Sequence, residues 1–107
     1  MTDDAQYLLD TFTKQFDMFK ELMKDKMVRR DKFDRYSYSA TAISLVISDI
    51  KECTSYKDVA LIRQILRLHL DLYEGFIRHA EHKHKAYECA LKAIMYLYSL
   101  TEVYVDD

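Results

Sequence analysis

The near absence of helix breakers constrains the fold of this chain more than any other feature, because its 107 residues include no Pro and one Gly. Apolar residues recur at intervals of three and four, the spacing that places them on one face of an α-helix. Half of the residues are hydrophobic, which supplies enough material for the core of a domain this size. The sequence therefore predicts a single all-α domain.

Four amphipathic segments can be separated by the phase of their apolar residues. Helices are expected at about residues 4–26, 32–53, 56–79 and 84–105. No breaker residue enforces the first turn, so one continuous helix over 5–53 is the competing interpretation. Helices of this length joined by short turns favour a compact antiparallel four-helix bundle. Thr54 and Ser55, followed by Asp58, resemble a capping signal with a hydroxyl at the cap and an acid in the first turn.

The sequence also predicts the surroundings of several single residues. Gly75, inside the third helix, costs helix stability and predicts close packing against a neighbouring helix. His69 lies on the apolar side of the same helix, where a hydrogen-bonded core histidine is expected. Cys53 and Cys89 fall toward opposite ends of neighbouring helices, too far apart for a disulfide. Both are therefore expected to be reduced. With neither a signal peptide nor a membrane span visible, the chain is expected in the cytoplasm.

Positive charge gathers at one end of the expected bundle. In an up-down-up-down arrangement the first and third turns share a pole, and residues 20–35 and 78–85 together carry a net charge of +5, against −7 for the rest of the chain. Such a surface favours anions, including phosphate backbones, although solvated turn charges explain it equally well. The residues expected to form this basic pole are Lys26, Arg29, Arg30, Lys32, Arg35, Arg78, Lys83 and Lys85.

Two helix faces lack the charges of an ordinary exposed surface. In the fourth helix 15 of the 20 residues from Ala86 to Val105 are hydrophobic, and a helix apolar on nearly every side must be buried on nearly every side. Ser and Thr line the outer face of the second helix. These faces are either covered within the bundle or buried against a partner, as a homodimer or a heterologous complex. The candidate interface residues are Tyr38, Ser44, Tyr87, Leu91, Met95, Tyr96 and Tyr98.

The segment around the third turn is rich in histidine. His79, His82 and His84 match no zinc signature, so they are interpreted as exposed turn residues, and no metal or cofactor is expected. Arg78 and His84, six positions apart before the last helix of a small bundle, resemble the Arg, four-to-six residues, His motif of HEPN ribonuclease domains. That resemblance implies that the Arg stabilises a phosphate and the His acts in acid/base chemistry. The pair Arg63 and His69 fits the same spacing.

No catalytic constellation of high specificity accompanies these features. We therefore expect a small non-catalytic interaction protein of the adaptor or inhibitor type, acting by protein–protein docking as a homodimer, as in bacterial or phage accessory proteins. The alternative is a nucleic-acid-binding protein that uses the basic pole, with HEPN-like RNA cleavage as its extreme.

Overall fold

The structure, a computed structural model, describes residues 1–53, 57–80 and 84–105. Helix α1 spans Asp3–Met23, α2 spans Arg30–Glu52, α3 spans Val59–His79 and α4 spans Lys85–Leu100, with a short 3-10 helix at Glu102–Tyr104. The expected all-α four-helix bundle is confirmed. Because α1 ends six residues before α2 begins, the chain does not form one continuous helix over 5–53.

The capping residues at the starts of α1 and α3 test the local sequence signals. The Thr2 hydroxyl accepts a hydrogen bond from the Ala5 N–H at 3.2 Å and caps α1. At α3 the cap is Asp58 itself, whose carboxylate accepts from the Leu61 N–H at 2.9 Å. The expectation that this acid stands inside the first turn was wrong, because α3 begins only at Val59. The expected hydroxyl caps, Thr54 and Ser55, lie outside the described residues.

Helix directions follow from a few contacts between elements. Neighbours along the chain are antiparallel, since Phe76 meets Tyr87 at one end of the α3–α4 pair and Arg63 meets Tyr98 at the other. By contrast, α2 and α4 run parallel, because Lys85 contacts Asp31 where both helices begin. The main interfaces are α1 with α2, α2 with α4 and α4 with α3, whereas α2 and α3 share a much smaller one.

Direct packing of α2 on α4 brings together helices that would be diagonal in a square bundle. Small side chains permit this approach. Both helices bury small residues along their contact, where bulky groups would hold the axes apart. These residues are Ser39 and Ala42 of α2 and Cys89, Ala90 and Ala93 of α4.

The core is distributed unevenly along the bundle. It gathers around Phe12 of α1, Ile50 of α2, Ile62 of α3 and Leu97 of α4, each fully buried. These residues lie toward the end of the bundle where the chain begins and where α2 gives way to α3. Toward the other pole, none of the described residues in 13–38 and 74–88 is buried. Hydrophobic burial, the main stabilising term in folding, is therefore concentrated at one pole.

The structure also bears on membrane insertion and on the cysteines. None of the four helices, as far as the chain is described, combines the length and apolarity needed to cross a bilayer. Cys53 follows the end of α2 and Cys89 is buried in α4, and no disulfide joins them.

Candidate interaction surface

A row of large apolar side chains runs along α3 without full cover. Residues three and four positions apart share a helix face, so this row follows one side of the helix for most of its length. Two of its members are partly buried, and the other three are exposed, Leu68 by 69% of its surface. The α3 row consists of Leu61, Ile65, Leu68, Leu72 and Phe76.

Shallow grooves open at both ends of the α3 row. The smaller, of about 360 Å³, lies beside the end of α2 and includes Leu68 in its wall. The larger, of about 650 Å³, lies where α3 meets α4 and includes Leu72 and Phe76. Three aromatic rings lie side by side here: the ring centroids of Tyr73 and Phe76 are 6.3 Å apart, and those of Phe76 and Tyr87 are 5.0 Å apart.

Helix α2 supplies the second wall of this surface. The His69 Nε2 atom lies 2.6 Å from the Asp49 carboxylate and sets the register between the antiparallel helices. Leu45, one turn earlier in α2, is therefore level with the turn of α3 that contains Leu72. Leu45 and Tyr38 are both exposed on this side of α2. With Leu68, Leu72 and Phe76 of the α3 row, this side of the bundle carries five exposed large apolar side chains, and exposed apolar patches mark interaction sites.

His69 makes the hydrogen bond that was expected of it, but it is only partly buried and lies outside the core cluster. Its side chain is 12% exposed, and its Nδ1 atom is buried without a partner among the described residues. Tyr73 lies one turn further along, and burial raises the pKa of its hydroxyl.

The carboxylates near the α3 row lie in the walls of its two grooves. Asp71 lines the larger groove, while Asp49 and Glu52 line the smaller one, and no lysine or arginine is among the described residues that line either. The two grooves are therefore edged by negative charge.

Gly75 forms part of the larger groove and does not mark close helix packing. A Cβ atom added there would meet nothing within 4 Å, so the expectation of a tight helix contact was wrong. The glycine costs α3 roughly 1 kcal/mol relative to alanine without a packing reason. Its effect is to leave the floor of the groove open beside Phe76.

The seven candidate interface residues do not share one continuous surface. Tyr87, Leu91 and Tyr98 are partly buried and pack against the core, so the apolar flank of α4 that faces α3 is covered within the chain. Ser44 lies beside α1 and returns a hydrogen bond to the Thr41 carbonyl at 2.7 Å. The three that remain exposed are Tyr38 of α2 and Met95 and Tyr96 of α4.

Sequence reasoning did not single out the α3 row as a surface. The apolar residues of α3 fall into two rows, and their spacing does not say which row is covered by a neighbouring helix. The signal that could have identified this surface was the width of the apolar pattern. A helix at the side of a bundle buries one apolar stripe, so a second row is expected to stay uncovered.

The basic pole has the location that was expected, because Lys85 and Asp31 bring the first and third turns together. Part of its charge is engaged internally. Asp31 contacts Arg35 at 3.0 Å and also Lys85, and Arg30 lies 3.4 Å from Asp34. Four other residues of the pole make no ion pair with described residues, namely Lys26, Arg29, Lys32 and Arg78. Lys83 lies outside the described residues.

The Asp31 cluster alters the titration of its members. The hydrogen bonds from Lys85 and then Arg35 hold the pKa of Asp31 below its ordinary value of 3.8. In return, Asp31 raises the pKa of Lys85 above 10.5 and that of Arg35 above its ordinary value. The cluster is therefore fully ionised throughout the neutral range.

The candidate catalytic pair is not joined by any described contact. Arg78 is exposed in the last turn of α3, while His84 precedes α4, and its ring lies tilted against that of Tyr87 with the centroids 5.1 Å apart. The groove beside them includes His79 with His84, and Arg78 is not part of its wall. Among the described residues no group of three or more His, Cys, Asp or Glu side chains could hold a metal ion, and His82 lies outside those residues.

No protein-family model, curated protein or solved structure matches this chain.

We predict that Gly75→Ala stabilises the protein by about 0.5 to 1 kcal/mol, because alanine favours the helix and its methyl group meets open space. Urea unfolding measures the change. Ala60→Gly, at an exposed position in the first turn of the same helix, is the control in the opposite direction and should destabilise by a smaller amount, because the glycine penalty is largest in a helix interior. A neutral or destabilising Gly75→Ala would show that packing does require glycine.

We predict that Asp31→Asn lowers the urea midpoint at neutral pH and that its effect depends on pH. Because folding lowers the pKa of Asp31, its contribution is present above the unfolded value and is lost as the pH falls through the folded value. Because folding raises the pKa of Lys85, the contribution is also lost as the pH rises through that folded value. Wild type and variant should therefore converge as the pH falls below the folded pKa of Asp31, and again as it rises above that of Lys85.

The matched control for this prediction is Glu21→Gln, which removes an exposed pair with Lys24 and should change little. A constant difference between Asp31→Asn and wild type across the acidic range would contradict the assigned role of the carboxylate.

Proposed function

We propose that this chain is a docking protein that binds an amphipathic, basic helical segment of another protein on the α3 row and the facing side of α2. The observation that carries the proposal is the exposure of Leu68, Leu72 and Phe76 along one side of a helix, with Leu45 exposed on the opposite wall. Apolar surface gains free energy when a partner removes it from water.

The shape of the surface favours a helix as the occupant. From Leu61 to Phe76 the α3 row rises ~22 Å at 1.5 Å per residue, the length of about four helical turns. An amphipathic helix in a groove presents apolar residues at positions three and four apart, which is the spacing of the α3 row itself. A segment of about 15 residues would cover it.

The charge of the surface favours a basic occupant. Asp49, Glu52 and Asp71 line the grooves without a neighbouring lysine or arginine among the described lining residues. Complementary charge steers association and selects among partners. Lysines or arginines that flank the apolar face of the partner would meet these carboxylates.

Gly75 adds an independent argument. A glycine that weakens a helix without a packing reason is the kind of local inconsistency expected at functional sites. Here it keeps the larger groove open next to Leu72 and Phe76.

The test uses two labelled peptides of about 15 to 18 residues, one built from Leu and Lys and one from Leu and Glu, both with helical spacing. Fluorescence anisotropy measures their binding. We expect the wild type to bind the Leu/Lys peptide more tightly than the Leu/Glu peptide. The double variant Leu68→Gln/Leu72→Gln should bind the Leu/Lys peptide about tenfold more weakly, since two apolar contacts are lost.

A matched control is available on α1. Met18 and Leu22 have the same spacing as Leu68 and Leu72 and are exposed by 43% and 39%, so Met18→Gln/Leu22→Gln should leave binding unchanged. Glu52→Gln/Asp71→Asn should reduce the preference for the basic peptide. Equal losses from both double glutamine variants would overturn the α3 surface as the docking site.

The oligomeric state decides whether a second copy is the occupant instead. Sedimentation of the protein alone over a range of concentrations shows any self-association. If the protein self-associates and Leu68→Gln/Leu72→Gln abolishes that association, a second copy of the chain occupies the α3 row. That result would overturn the proposal that the occupant is a different protein. Self-association through Met95 and Tyr96, as the sequence suggested, remains a prediction.

Nucleic-acid binding by the basic pole is the second candidate function. The observation that favours it is the meeting of the two basic turns at one end of the bundle. Its test is anisotropy of labelled RNA and DNA across a salt series, where Arg29→Glu/Lys32→Glu should abolish binding that weakens steeply with salt. Lys14→Glu/Lys51→Glu changes the charge equally, away from this pole, and should have much less effect.

The same samples test RNA cleavage. Shortened RNA on a gel that disappears with His84→Ala would support the HEPN-like alternative. No binding at low salt would exclude both nucleic-acid functions of the basic pole.

A further inference from the structure

Arg63 joins α3 to α4 without a carboxylate partner. Its guanidinium group donates to the Thr101 hydroxyl at 2.5 Å and to the Tyr98 hydroxyl at 2.8 Å. The guanidinium carbon also lies 4.4 Å from the centre of the Tyr98 ring. A partly buried guanidinium is normally paired with an acid, yet no carboxylate of the described residues forms an ion pair with it.

A second arginine lies one turn further along α3. Arg67 is exposed, and its guanidinium carbon lies 6.0 Å from the centre of the same Tyr98 ring. Within the described part of the chain Arg67 makes no hydrogen bond or ion pair. Like charges four positions apart on a helix repel each other, so the pair gains stability from an anion placed between them.

These arginines open onto a groove with apolar walls. The groove has a volume of about 520 Å³ and lies between α3 and the segment that follows α4. Gln64 adds a polar side chain to the two arginines, and the remaining wall is aromatic or aliphatic. That part consists of Val59, Ala60, Tyr98, Tyr104 and Val105.

We propose that Arg63 and Arg67 form a binding site for a small phosphate monoester whose apolar or aromatic part packs against Tyr98, Tyr104 and Val59. This site is separate from the α3 row and does not depend on the docking function. Guanidinium groups bind phosphate through paired N–H donors. Arg63 retains N–H groups beyond the two that bind Thr101 and Tyr98, and all those of Arg67 lack described partners.

Phosphate fits the site better than a single carboxylate. Two guanidinium groups offer two positive charges, which match the charge of roughly −1.5 to −2 on a phosphate monoester at neutral pH. The aromatic and aliphatic wall then distinguishes an organic phosphate from inorganic phosphate, because only the organic ligand has apolar surface to bury.

The experiment is a titration of the full chain with phenyl phosphate and, separately, with inorganic phosphate at constant ionic strength, followed by calorimetry and by NMR of the Tyr98 and Tyr104 rings. Phenyl phosphate should bind more tightly. Arg67→Gln should weaken it about tenfold, the effect of one charged hydrogen-bonding partner. Arg67 is the residue to change because its loss leaves the hydrogen bonds of Arg63 intact.

Arg78→Gln is the matched control, since Arg78 is an exposed arginine of the same helix near the basic pole, and it should bind phenyl phosphate as the wild type does. Equal binding of the two phosphates, or loss with Arg78→Gln but not Arg67→Gln, would overturn the proposal.

A further variant tests whether acids of this chain are the natural occupant. Asp106 and Asp107 follow Val105 in the sequence, so the titration is repeated with Asp106→Asn/Asp107→Asn. If this variant binds phenyl phosphate and the wild type does not, the chain supplies its own anion to the site, and the proposal of an external phosphate ligand is overturned. Binding by neither form would overturn the anion site itself.

Discussion

The direct packing of α2 against α4 determines which other faces of the bundle are covered. Ala42 of α2 and Ala93 of α4 are both buried, and small side chains such as these allow two helix axes to approach closely. This contact places α4 between α2 and α3, so the flank of α4 that faces α3 is covered, while Met95 and Tyr96 stay exposed. It also separates α3 from α2 over much of their length, and Leu68 and Leu72 remain exposed as a result.

Polar contacts then fix the positions of the helices at either end. Near the well-packed pole, His69 bonds to Asp49 across the reduced α2–α3 interface, and Arg63 bonds to Tyr98 across the α3–α4 interface. At the opposite pole the Asp31 carboxylate holds the start of α4 beside the start of α2. Since these groups act one pair at a time, they define geometry more than they add stability.

The fold could be predicted from the sequence because its controlling signals are local. The missing prolines and the spacing of Leu9, Phe12 and Phe16 predict a helix without reference to any neighbour. Helix length and alternation also predicted a first turn, expected between residues 26 and 32 and found at 24–29, and the meeting of the basic turns. The spacing says which side of a helix is apolar, but it does not say which neighbour covers that side.

The candidate surface could not be predicted for this reason. The apolar flank of α4 suggested a partner, whereas the structure covers it with α3 and exposes the α3 row instead. Gly75 was similarly ambiguous, since a glycine inside a helix is compatible with either a tight contact or open space. Only the three-dimensional neighbours of each residue decide between these alternatives.

The uneven distribution of the core has a consequence for motion. A region with few buried apolar contacts opens locally at a lower free energy than global unfolding requires. The end of α1, the start of α2 and the junction of α3 with α4 form such a region, because none of their described residues is buried. Amide hydrogens there should exchange with solvent through partial opening, while those around Phe12 and Ile62 exchange only when the whole bundle unfolds.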